Sequence, residues 1–260
     1  MYDIIKKWKR VNLVMKIGII TDIHSNIQSL NIILNEFDKL KVEKIICCGD
    51  IIGIGINPEE TVQKLISIKN KLIAVRGNHE QYLLNGLPKQ IHDNKRKLTE
   101  SEINNHIWNH SQLSTSSIDF LKQLKSFESI NIGGKNIFIV HYPMLSNGTY
   151  KKHIKNPNYS DIIYMFKEFE ANIYLYGHTH TYSVNNFDNK WYINPGSLGC
   201  PAGSSFASAG LLDIKDGEIE FKSINIEYNV KEVIDEINSL KIPHYEEILK
   251  TFYLGENQNA

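Results

Sequence analysis

Residues that can bind metal ions follow five apolar segments of this 260-residue chain, at the point where each segment ends. The segments have the length and aliphatic composition of buried β-strands. Because the carboxyl ends of parallel strands meet at one edge of a sheet, we expect the polar side chains that follow them to converge. These side chains are Asp22 and His24, then Asp50, then Asn78 with its neighbour His79, then His141, and finally His178 and His180.

Carboxylates and imidazoles together are typical ligands of zinc, iron and manganese, whereas calcium and magnesium prefer shells of oxygen alone. The pairs Asp22-x-His24 and His178-x-His180 each place two side chains within reach of one ion. The chain offers more ligands than one ion usually takes, and one carboxylate can bridge two ions about 3.5–4 Å apart. Asp50 stands alone at its strand end, so the sequence predicts it as the bridging ligand of a two-metal site.

The spacing of apolar residues predicts the elements that position these side chains. Strands are expected at 16–21, 44–48 and 71–75, and helices at 26–40 and from Pro58 onward. This alternation indicates a parallel sheet covered by helices. Later segments predict hairpins that turn at Gly133-Gly134, Asp188-Asn189 and Asp216-Gly217, with one or two helices between Val230 and Phe252. The fold class is therefore α/β, with antiparallel strands in its second half.

Residues 15–260 are expected to form a single domain, because Met15 opens directly on the first strand. Residues 1–14 are basic, but they lack an apolar run long enough for a signal peptide or a membrane span, so they are predicted to be an N-terminal extension. Between about 81 and 126 the strand pattern vanishes, and Ser114 or Ser116 could cap a helix there. This segment is predicted to be a helical, cap-like insert.

Composition excludes several classes of partner. Basic and acidic residues balance at 29 each, so no net charge favours bulk binding to nucleic acid or to a membrane surface. The three cysteines, Cys47, Cys48 and Cys200, form no CxxC motif and leave one unpaired, which argues against a disulfide framework. Together with the missing export signal, this pattern predicts a cytoplasmic protein.

Taken together, the strand-end motifs resemble those of the calcineurin-like metallophosphoesterase superfamily. The motifs are Asp22-x-His24, Gly49-Asp50-x-x-Gly53, Gly77-Asn78-His79-Glu80, His141 and Gly177-His178-x-His180, and they appear in the family's order. The sequence Asn-Pro-Gly-Ser at 194–197 further resembles the small prokaryotic phosphodiesterases, the YfcE/Vps29-like branch. The resemblance implies a four-layer αββα sandwich of two mixed sheets, flanked by helices.

The resemblance also implies a role for each of these positions. One metal would be held by Asp22, His24, Asp50 and His180, and the other by Asp50, Asn78, His141 and His178. His79 would act near the scissile phosphate as general acid, without binding a metal. Two features separate the chain from other branches: no Arg-Gly follows Asp50, as it does in the protein phosphatases, and Gly53 stands where purple acid phosphatases have a tyrosine.

The expected activity is hydrolysis of a phosphodiester or phosphoanhydride by a hydroxide that bridges two divalent ions. Manganese is the first expectation, with iron, zinc, nickel or cobalt as alternatives, and the expected substrate is a small nucleotide-like phosphate. Two enzymatic alternatives remain, a phosphomonoesterase and a dinucleoside polyphosphate hydrolase. A catalytically silent scaffold of the Vps29 type is a third. Such scaffolds lose the histidine after the ligand asparagine, and this chain keeps His79.

Weaker signals surround these motifs. Arg76 and Tyr142 adjoin ligand residues and are predicted substrate contacts, with simple packing as the alternative for Tyr142. Trp108 and nearby apolar residues are expected to form the packing face of the insert. The histidines of the insert, His92, His106 and His110, are expected to be ordinary helix or loop residues. Its basic residues are expected to be solvated, although they could hold a polyphosphate chain; they are Lys89, Lys95, Arg96 and Lys97.

Overall fold

The computed structural model describes residues 15–90, 96–145 and 148–256. Two five-stranded sheets pack face to face, with strand orders β10-β9-β1-β2-β3 and β4-β5-β6-β8-β7. Helices cover the outer face of each sheet. The expected α/β sandwich of two mixed sheets flanked by helices is therefore confirmed. The predicted extension over residues 1–14, and the positions of His92 and Lys95, lie outside the described residues.

The first sheet is built on the predicted parallel strands. Its strands are β1 (Met15–Ile20), β2 (Lys44–Cys47), β3 (Leu72–Ala74), β9 (Phe206–Lys215) and β10 (Glu218–Glu227). β1 pairs with β2 and β2 with β3 in parallel, whereas the β9–β10 hairpin joins the edge of β1 antiparallel. Helices α1 (Ile27–Lys39) and α2 (Pro58–Ser67) connect the parallel strands. Phe37 and Leu30 of α1 are fully buried in the core on this face.

The second sheet mixes the two strand directions. Its strands are β4 (Phe127–Ile132), β5 (Lys135–Val140), β6 (Ile173–Leu175), β7 (Ser183–Phe187) and β8 (Lys190–Asn194). The β4–β5 and β7–β8 hairpins form as predicted, and β6 lies between β5 and β8 in parallel with both. Helix α6 (Tyr159–Phe166) covers the outer face through Ile162, Met165 and Phe166.

The core between the sheets is aliphatic. Ile19 and Ile46 of the first sheet meet Ile139, Ile173 and Leu175 of the second, and all five are fully buried. Burying such side chains stabilises a fold by about 1.5–3 kcal/mol each. This contact fixes the two sheets relative to each other, so that polar loops from both sheets meet at one end of the sandwich.

The predicted insert contains three helices, α3 (Asn78–Asn85), α4 (Glu100–Ser111) and α5 (Thr115–Gln123). Ser114 caps α5 by accepting the N–H of Ser117, as expected for a serine at this position. Asn109 fastens α4 to the loop after β2: its side chain accepts the N–H of Gly53 at 3.0 Å and donates to the carbonyl of Gly55 at 3.2 Å. Trp108 packs, as predicted, but against an apolar cluster of mainly C-terminal residues, whereas Leu113, Phe120, Leu121 and Leu124 of the insert pack into the core of the first sheet.

The C-terminal segment closes the same end of the molecule. It contains α7 (Val230–Leu240), α8 (Tyr245–Ile248) and a π-helical turn at Leu249–Tyr253. Ile237, Ile248 and Tyr253 pack against Ile54 and Cys200, which belong to loops at the strand ends. No helix in the described part of the chain is both long and apolar enough to cross a lipid bilayer.

Candidate metal centre

Backbone hydrogen bonds join the loops that carry the predicted ligands. The N–H of Asp22 donates to the carbonyl of Gly49 at 3.0 Å, and that of His24 donates to the carbonyl of Asp50 at 3.0 Å. From the second sheet, the N–H of His178 donates to the carboxylate of Asp22, at 3.1 Å to Oδ1 and 3.0 Å to Oδ2. The loops are therefore held together by hydrogen bonds that use no metal.

Most of the predicted ligands have a left-handed backbone. Five of the seven have positive φ angles: Asp22 at 52°, His24 at 48°, Asp50 at 52°, His178 at 72° and His180 at 56°. Such conformations cost of order 1–3 kcal/mol each and collect at functional sites, where the surrounding structure enforces them. Because five positive φ angles occur at this one cluster, the loops are shaped to orient these side chains rather than only to connect the strands.

Two glycines are required by close approach in this cluster. Gly53 has φ +86°, and a Cβ atom there would overlap the imidazole of His79. A Cβ atom on Gly77 would overlap the carboxylate of Asp50. The missing side chains of these two glycines make room for the two functional side chains themselves.

One group of donor atoms lies where the first metal was predicted. Nε2 of His24 lies 2.9 Å from Nε2 of His180, 3.8 Å from Oδ1 of Asp22 and 3.8 Å from Oδ2 of Asp50. Nε2 of His180 lies 3.5 Å from Oδ1 of Asp22. Ligands bonded to a tetrahedral zinc at about 2.0–2.1 Å would lie about 3.3 Å from one another. The spacing of these atoms suits a common ion.

A second group lies where the other metal was predicted. Nε2 of His141 lies 3.2 Å from Oδ2 of Asp50, 3.1 Å from Oδ1 of Asn78 and 3.2 Å from Nδ1 of His178. Nδ1 of His178 and Oδ1 of Asn78 are 3.0 Å apart. Oδ2 of Asp50 thus belongs to both groups. The structure brings all seven predicted ligands together.

The loop that carries Asp50 is organised by Glu80, whose role the sequence did not reveal. This fully buried carboxylate accepts the backbone N–H groups of Asp50, Ile51 and Ile52 at 2.8–3.1 Å and that of Gly77 at 2.7 Å. Four donors directed at one carboxylate hold the loop after β2 against the start of α3. Glu80 is therefore a positioning residue for the bridging candidate.

The charge states of the histidines suit metal binding, because a histidine ligand must be neutral. Burial lowers the pKa of His24 and of His180 to about 4. Burial also lowers the pKa of His178 well below its usual range. These three imidazoles are therefore neutral near pH 7 and can offer a lone pair without first losing a proton.

His141 and Asp50 form the charged pair of the site. Burial acts to lower the pKa of His141, but the adjacent Asp50 carboxylate outweighs it and raises the pKa to about 9. Burial acts to raise the pKa of Asp50, but His141 and His79 hold it well below its usual range. In the absence of a metal cation, the proton on His141 thus neutralises the negative charge of Asp50. The donor set, with its neutral imidazoles and this anionic centre, fits divalent ions.

His79 lies at the rim of these groups. Its backbone N–H donates to Oδ1 of Asp50 at 3.0 Å, and its Nε2 lies 4.0 Å from Oδ2 of the same carboxylate. Nδ1 is buried and makes no hydrogen bond to any described residue. Burial lowers the pKa of the ring well below 6.5. The structure places the ring beside the predicted metal ligands, in a buried position that favours its neutral form.

The donor atoms face an open cavity of about 610 Å³, here called the metal cleft. Lys155 and Asn156 line it from the loop before α6, Thr179 and Thr181 line it beside the second sheet, and Phe252 lines it from the C-terminal turn. Lys155 is exposed at this rim. The sequence analysis missed this cation because it lies 14 residues beyond His141, the nearest ligand before it in the chain.

Two predicted substrate contacts are not supported. Tyr142 is fully buried, and its hydroxyl donates to the carbonyl of Lys152 at 3.0 Å and accepts the N–H of Ile154 at 2.9 Å. It positions that loop and does not line the metal cleft. Arg76 donates to Oγ of Ser126 at 3.2 and 3.1 Å and lines a separate surface depression, because the chain after β3 turns toward the end of the insert.

Two residues enter the site without having been predicted. His106 on α4 places its ring 5.1 Å from that of His79, although the sequence analysis expected an ordinary helix residue. Cys200 belongs to a group in which its Sγ and ring nitrogens of His24 and His180 all lie within 4.8 Å of one another. Neither has a local signal, because helix α4 and the Asn-Pro-Gly-Ser turn reach the site only through tertiary packing.

Comparison with known proteins identifies the class. Residues 15–217 match the calcineurin-like phosphoesterase superfamily domain, and the chain belongs to this superfamily. The family expected from the motifs is confirmed. Membership, with relatives named as phosphodiesterases, makes the protein a hydrolase of phosphoric ester bonds.

Individual relatives cover most of the chain. The uncharacterized protein MJ0912 of Methanocaldococcus jannaschii is 29% identical over 252 residues, which span 88% of this chain and 94% of that protein. Phosphodiesterase MJ0936 of the same organism is 24% identical over 204 residues, 78% of this chain and 96% of that one. The metallophosphoesterase from Sphaerobacter thermophilus superposes with a TM-score of 0.70 at 22% identity, covering 93% and 100% of the two chains. This last likeness supports the fold alone.

Proposed function

We propose that the protein hydrolyses phosphodiesters or phosphoanhydrides, with nucleotide-type substrates, using two divalent metal ions. The observation that carries the proposal is the position of Asp50, whose Oδ2 lies within 3.8 Å of Nε2 of His24 and 3.2 Å of Nε2 of His141. One carboxylate oxygen shared between two groups of nitrogen and oxygen donors is the arrangement that two-metal hydrolases need.

The residues divide between the two ions as the motifs imply. Asp22, His24 and His180 would hold the first with Asp50, and Asn78, His141 and His178 would hold the second with Asp50. The mixed nitrogen and oxygen donors suit manganese, iron, zinc, nickel or cobalt. When bound, the ions supply positive charge to the phosphate oxygens and an activated water as nucleophile. The left-handed loops and Glu80 keep the donors aimed before substrate arrives.

His79 is the group that we assign to the leaving oxygen. It lines the metal cleft, touches the Asp50 carboxylate only at its edge, and is held by its backbone N–H rather than by its ring nitrogens. The ring is neutral near pH 7 because it is buried. It can therefore donate one N–H to the leaving oxygen, and the negative charge of a bound phosphate favours protonation of the ring and proton transfer.

The cleft favours a diester or anhydride over a monoester dianion. A dianion gains most from several fixed cations, but Arg76 lies elsewhere and Lys155 stands at the rim. The similarity to the relative named Phosphodiesterase MJ0936 also supports a diester substrate. The three cysteines are free and buried, which supports a reducing, cytoplasmic compartment. The proposed partner of the site is a small phosphorylated molecule.

The test is a comparison of kcat/KM for three substrates with manganese-reconstituted protein at one metal concentration. The substrates are bis-nitrophenyl phosphate, nitrophenyl phosphate and a dinucleoside tetraphosphate. We expect the diester or the tetraphosphate to be hydrolysed better than the monoester. Asp50→Asn, purified in parallel, controls for contaminating phosphatases. A clear preference for the monoester would contradict the proposed substrate class and favour a phosphomonoesterase.

A further inference from the structure

A second cavity of about 230 Å³ opens beside the metal cleft. The two share Ile54, Asn78, His79, His178 and Phe252 as lining residues. His79, the residue assigned to the leaving oxygen, thus faces both spaces. We call the second space the side cavity. A group bound there would lie beside a phosphate held in the metal cleft.

The walls of the side cavity combine aromatic, imidazole and aliphatic side chains with the Arg96–Glu102 ion pair and the amides of Asn78 and Asn105. Tyr82 and His106 meet edge to face with ring centroids 5.3 Å apart, and Tyr150 stacks on His178 at 5.2 Å with an angle of 22° between the rings. Phe252 adds a further ring from the C-terminal turn. Flat apolar walls of this kind accept a planar ring, because stacked aromatic faces gain favourable contact over their whole area.

Two polar atoms in this lining have no hydrogen-bond partner among the residues that the structure describes. They are Nδ1 of His106 and the hydroxyl of Tyr150, both inaccessible to solvent. The His106 side chain is 7% exposed. Buried polar groups are nearly always paired in folded proteins, so each unpaired group requires an explanation. A ligand whose edge carries hydrogen-bonding atoms supplies the missing partners once the two side chains turn these atoms toward the cavity.

The size of the space limits the ligand. Pockets that enclose drug-sized molecules measure about 300–1,000 Å³. The side cavity is smaller, so it suits a single ring system rather than a whole dinucleotide. The ring must be planar to fit between Tyr82, His106 and Tyr150, and its edge must bear nitrogen or oxygen atoms. These requirements describe a heteroaromatic ring.

We infer that the side cavity binds the heteroaromatic ring of the leaving group, such as the base of a nucleoside esterified to the phosphate. His106 and Tyr150 bind the edge of the ring and act as specificity-determining residues. The assignment of the ring to the leaving group rests on the proposed function, but the binding of the ring is independent of catalysis. It identifies the side of the phosphate on which the nucleoside lies: that of His79.

The first experiment measures binding without turnover. Calorimetric titration with adenosine, guanosine, cytidine and uridine is compared with titration with ribose, which has no aromatic base. At least one nucleoside should bind, and ribose should not. His106→Phe keeps an aromatic ring and removes Nδ1, and Tyr150→Phe removes only the hydroxyl. Each variant should weaken nucleoside binding by about 3- to 10-fold, the usual effect of one lost hydrogen bond.

His110→Phe is the matched control. It lies one turn further along α4, with its ring centroid 6.0 Å from that of His106, and it does not line the side cavity. This variant should bind nucleosides like the unmodified protein. Binding of ribose as tight as that of the nucleosides, no binding of any nucleoside, or unchanged affinity in both His106→Phe and Tyr150→Phe would overturn the inference.

The second experiment links the cavity to the leaving group. Two diesters of one nucleotide are compared, one releasing a nucleoside and the other releasing methanol. The nucleoside diester should have a kcat/KM about 10-fold higher, as expected from one stacked base. His106→Phe should reduce that ratio, and His110→Phe should not. If neither diester is hydrolysed while nucleosides still bind, the proposed function fails and the cavity assignment stands. If both are hydrolysed equally, the leaving-group assignment fails.

Discussion

The metal cleft and the side cavity meet at His79, yet they are built in opposite ways. The floor of the cleft consists of short loops at strand ends, laced by backbone hydrogen bonds, with a left-handed conformation at five ligand residues. The side cavity is enclosed by helix α4 and by residues 244–252, which are far apart in the chain. The cleft positions charged and imidazole groups, whereas the cavity is lined by rings and contains two polar atoms without a hydrogen-bond partner among the described residues. Under the proposed function, the cleft would hold the residues of the reaction and the cavity those that select the substrate.

The largest expected effect comes from the junction of the two regions. His79→Ala should keep its metals, because the backbone N–H that binds Asp50 remains, while kcat falls by about 10²–10⁴-fold through loss of the general acid. The loss should be smaller for a nitrophenyl ester, whose leaving group needs less protonation. Turnover and metal content are measured on the same samples.

Two outcomes would contradict the role of His79 as a general acid that binds no metal. Loss of a metal ion in His79→Ala would make His79 a ligand, as its place in a group with His24 and Asp50 permits geometrically. An equal loss of turnover on good and poor leaving groups would show that His79 positions the phosphate and does not protonate the leaving oxygen.

The next effect concerns the rigidity of the cleft. Glu80→Gln replaces a carboxylate that accepts four backbone N–H groups by an amide that presents its own donors to some of them. The amide oxygen still accepts two of these N–H groups, and its NH2 group faces the other two. Leaving two buried donors unpaired costs about 1–3 kcal/mol each, so the free energy of unfolding should fall by about 2–6 kcal/mol. Urea unfolding of the metal-free protein measures it.

Glu59→Gln is the control for this change. Glu59 accepts the backbone N–H of Ser114 at 2.9 Å near the protein surface, so its loss should cost no more than about 1 kcal/mol. Equal costs for Glu80→Gln and Glu59→Gln would contradict the claim that the loop after β2 is held in place by Glu80.

A smaller effect concerns the pH dependence of metal binding in the cleft. His141 has a pKa raised to about 9 in the metal-free protein, so it carries a proton at pH 7 that an ion must displace. His24 and His180, with pKa values lowered to about 4, have none to lose. Metal affinity should therefore rise about tenfold per pH unit up to about pH 9 and then level off.

Calorimetry in buffers of different ionisation enthalpy measures this coupling. At pH 7 the first manganese bound beside His141 should release about one proton per chain. Binding without proton release at pH 7 would show that the pair formed by Asp50 and His141 is not charged in the manner described.

The convergence of the candidate ligands could be predicted because each lies within a few residues of the end of a strand. Once the apolar runs are recognised, the parallel sheet alone brings Asp22, Asp50 and Asn78 to one edge. The left-handed conformation of the ligands was not predictable, since it arises from hydrogen bonds between loops. Tyr142 takes the packing role that the sequence analysis kept as its alternative. Adjacent residues at a strand end point to opposite sides, so Tyr142 is buried in the outer core of the second sheet while His141 faces the donors.

The side cavity could not be predicted in the same way. His106 occupies an unremarkable position on an amphipathic helix, and its neighbour Tyr150 comes from a loop 44 residues later. Phe252 lies beyond residue 217, where the family match ends. Their meeting depends on how α4 and the C-terminal turn pack onto the strand-end loops through Asn109 and Ile54. No periodicity in the sequence encodes that contact.

The central claim is that Asp50 bridges two ions, and metal content tests it most directly. Manganese-reconstituted protein and Asp50→Asn are dialysed together, and the ions per chain are counted by inductively coupled plasma mass spectrometry. The account predicts two ions in the unmodified protein and the loss of at least one in the variant, because both donor groups depend on Oδ2 of Asp50. Two ions retained in Asp50→Asn would contradict it.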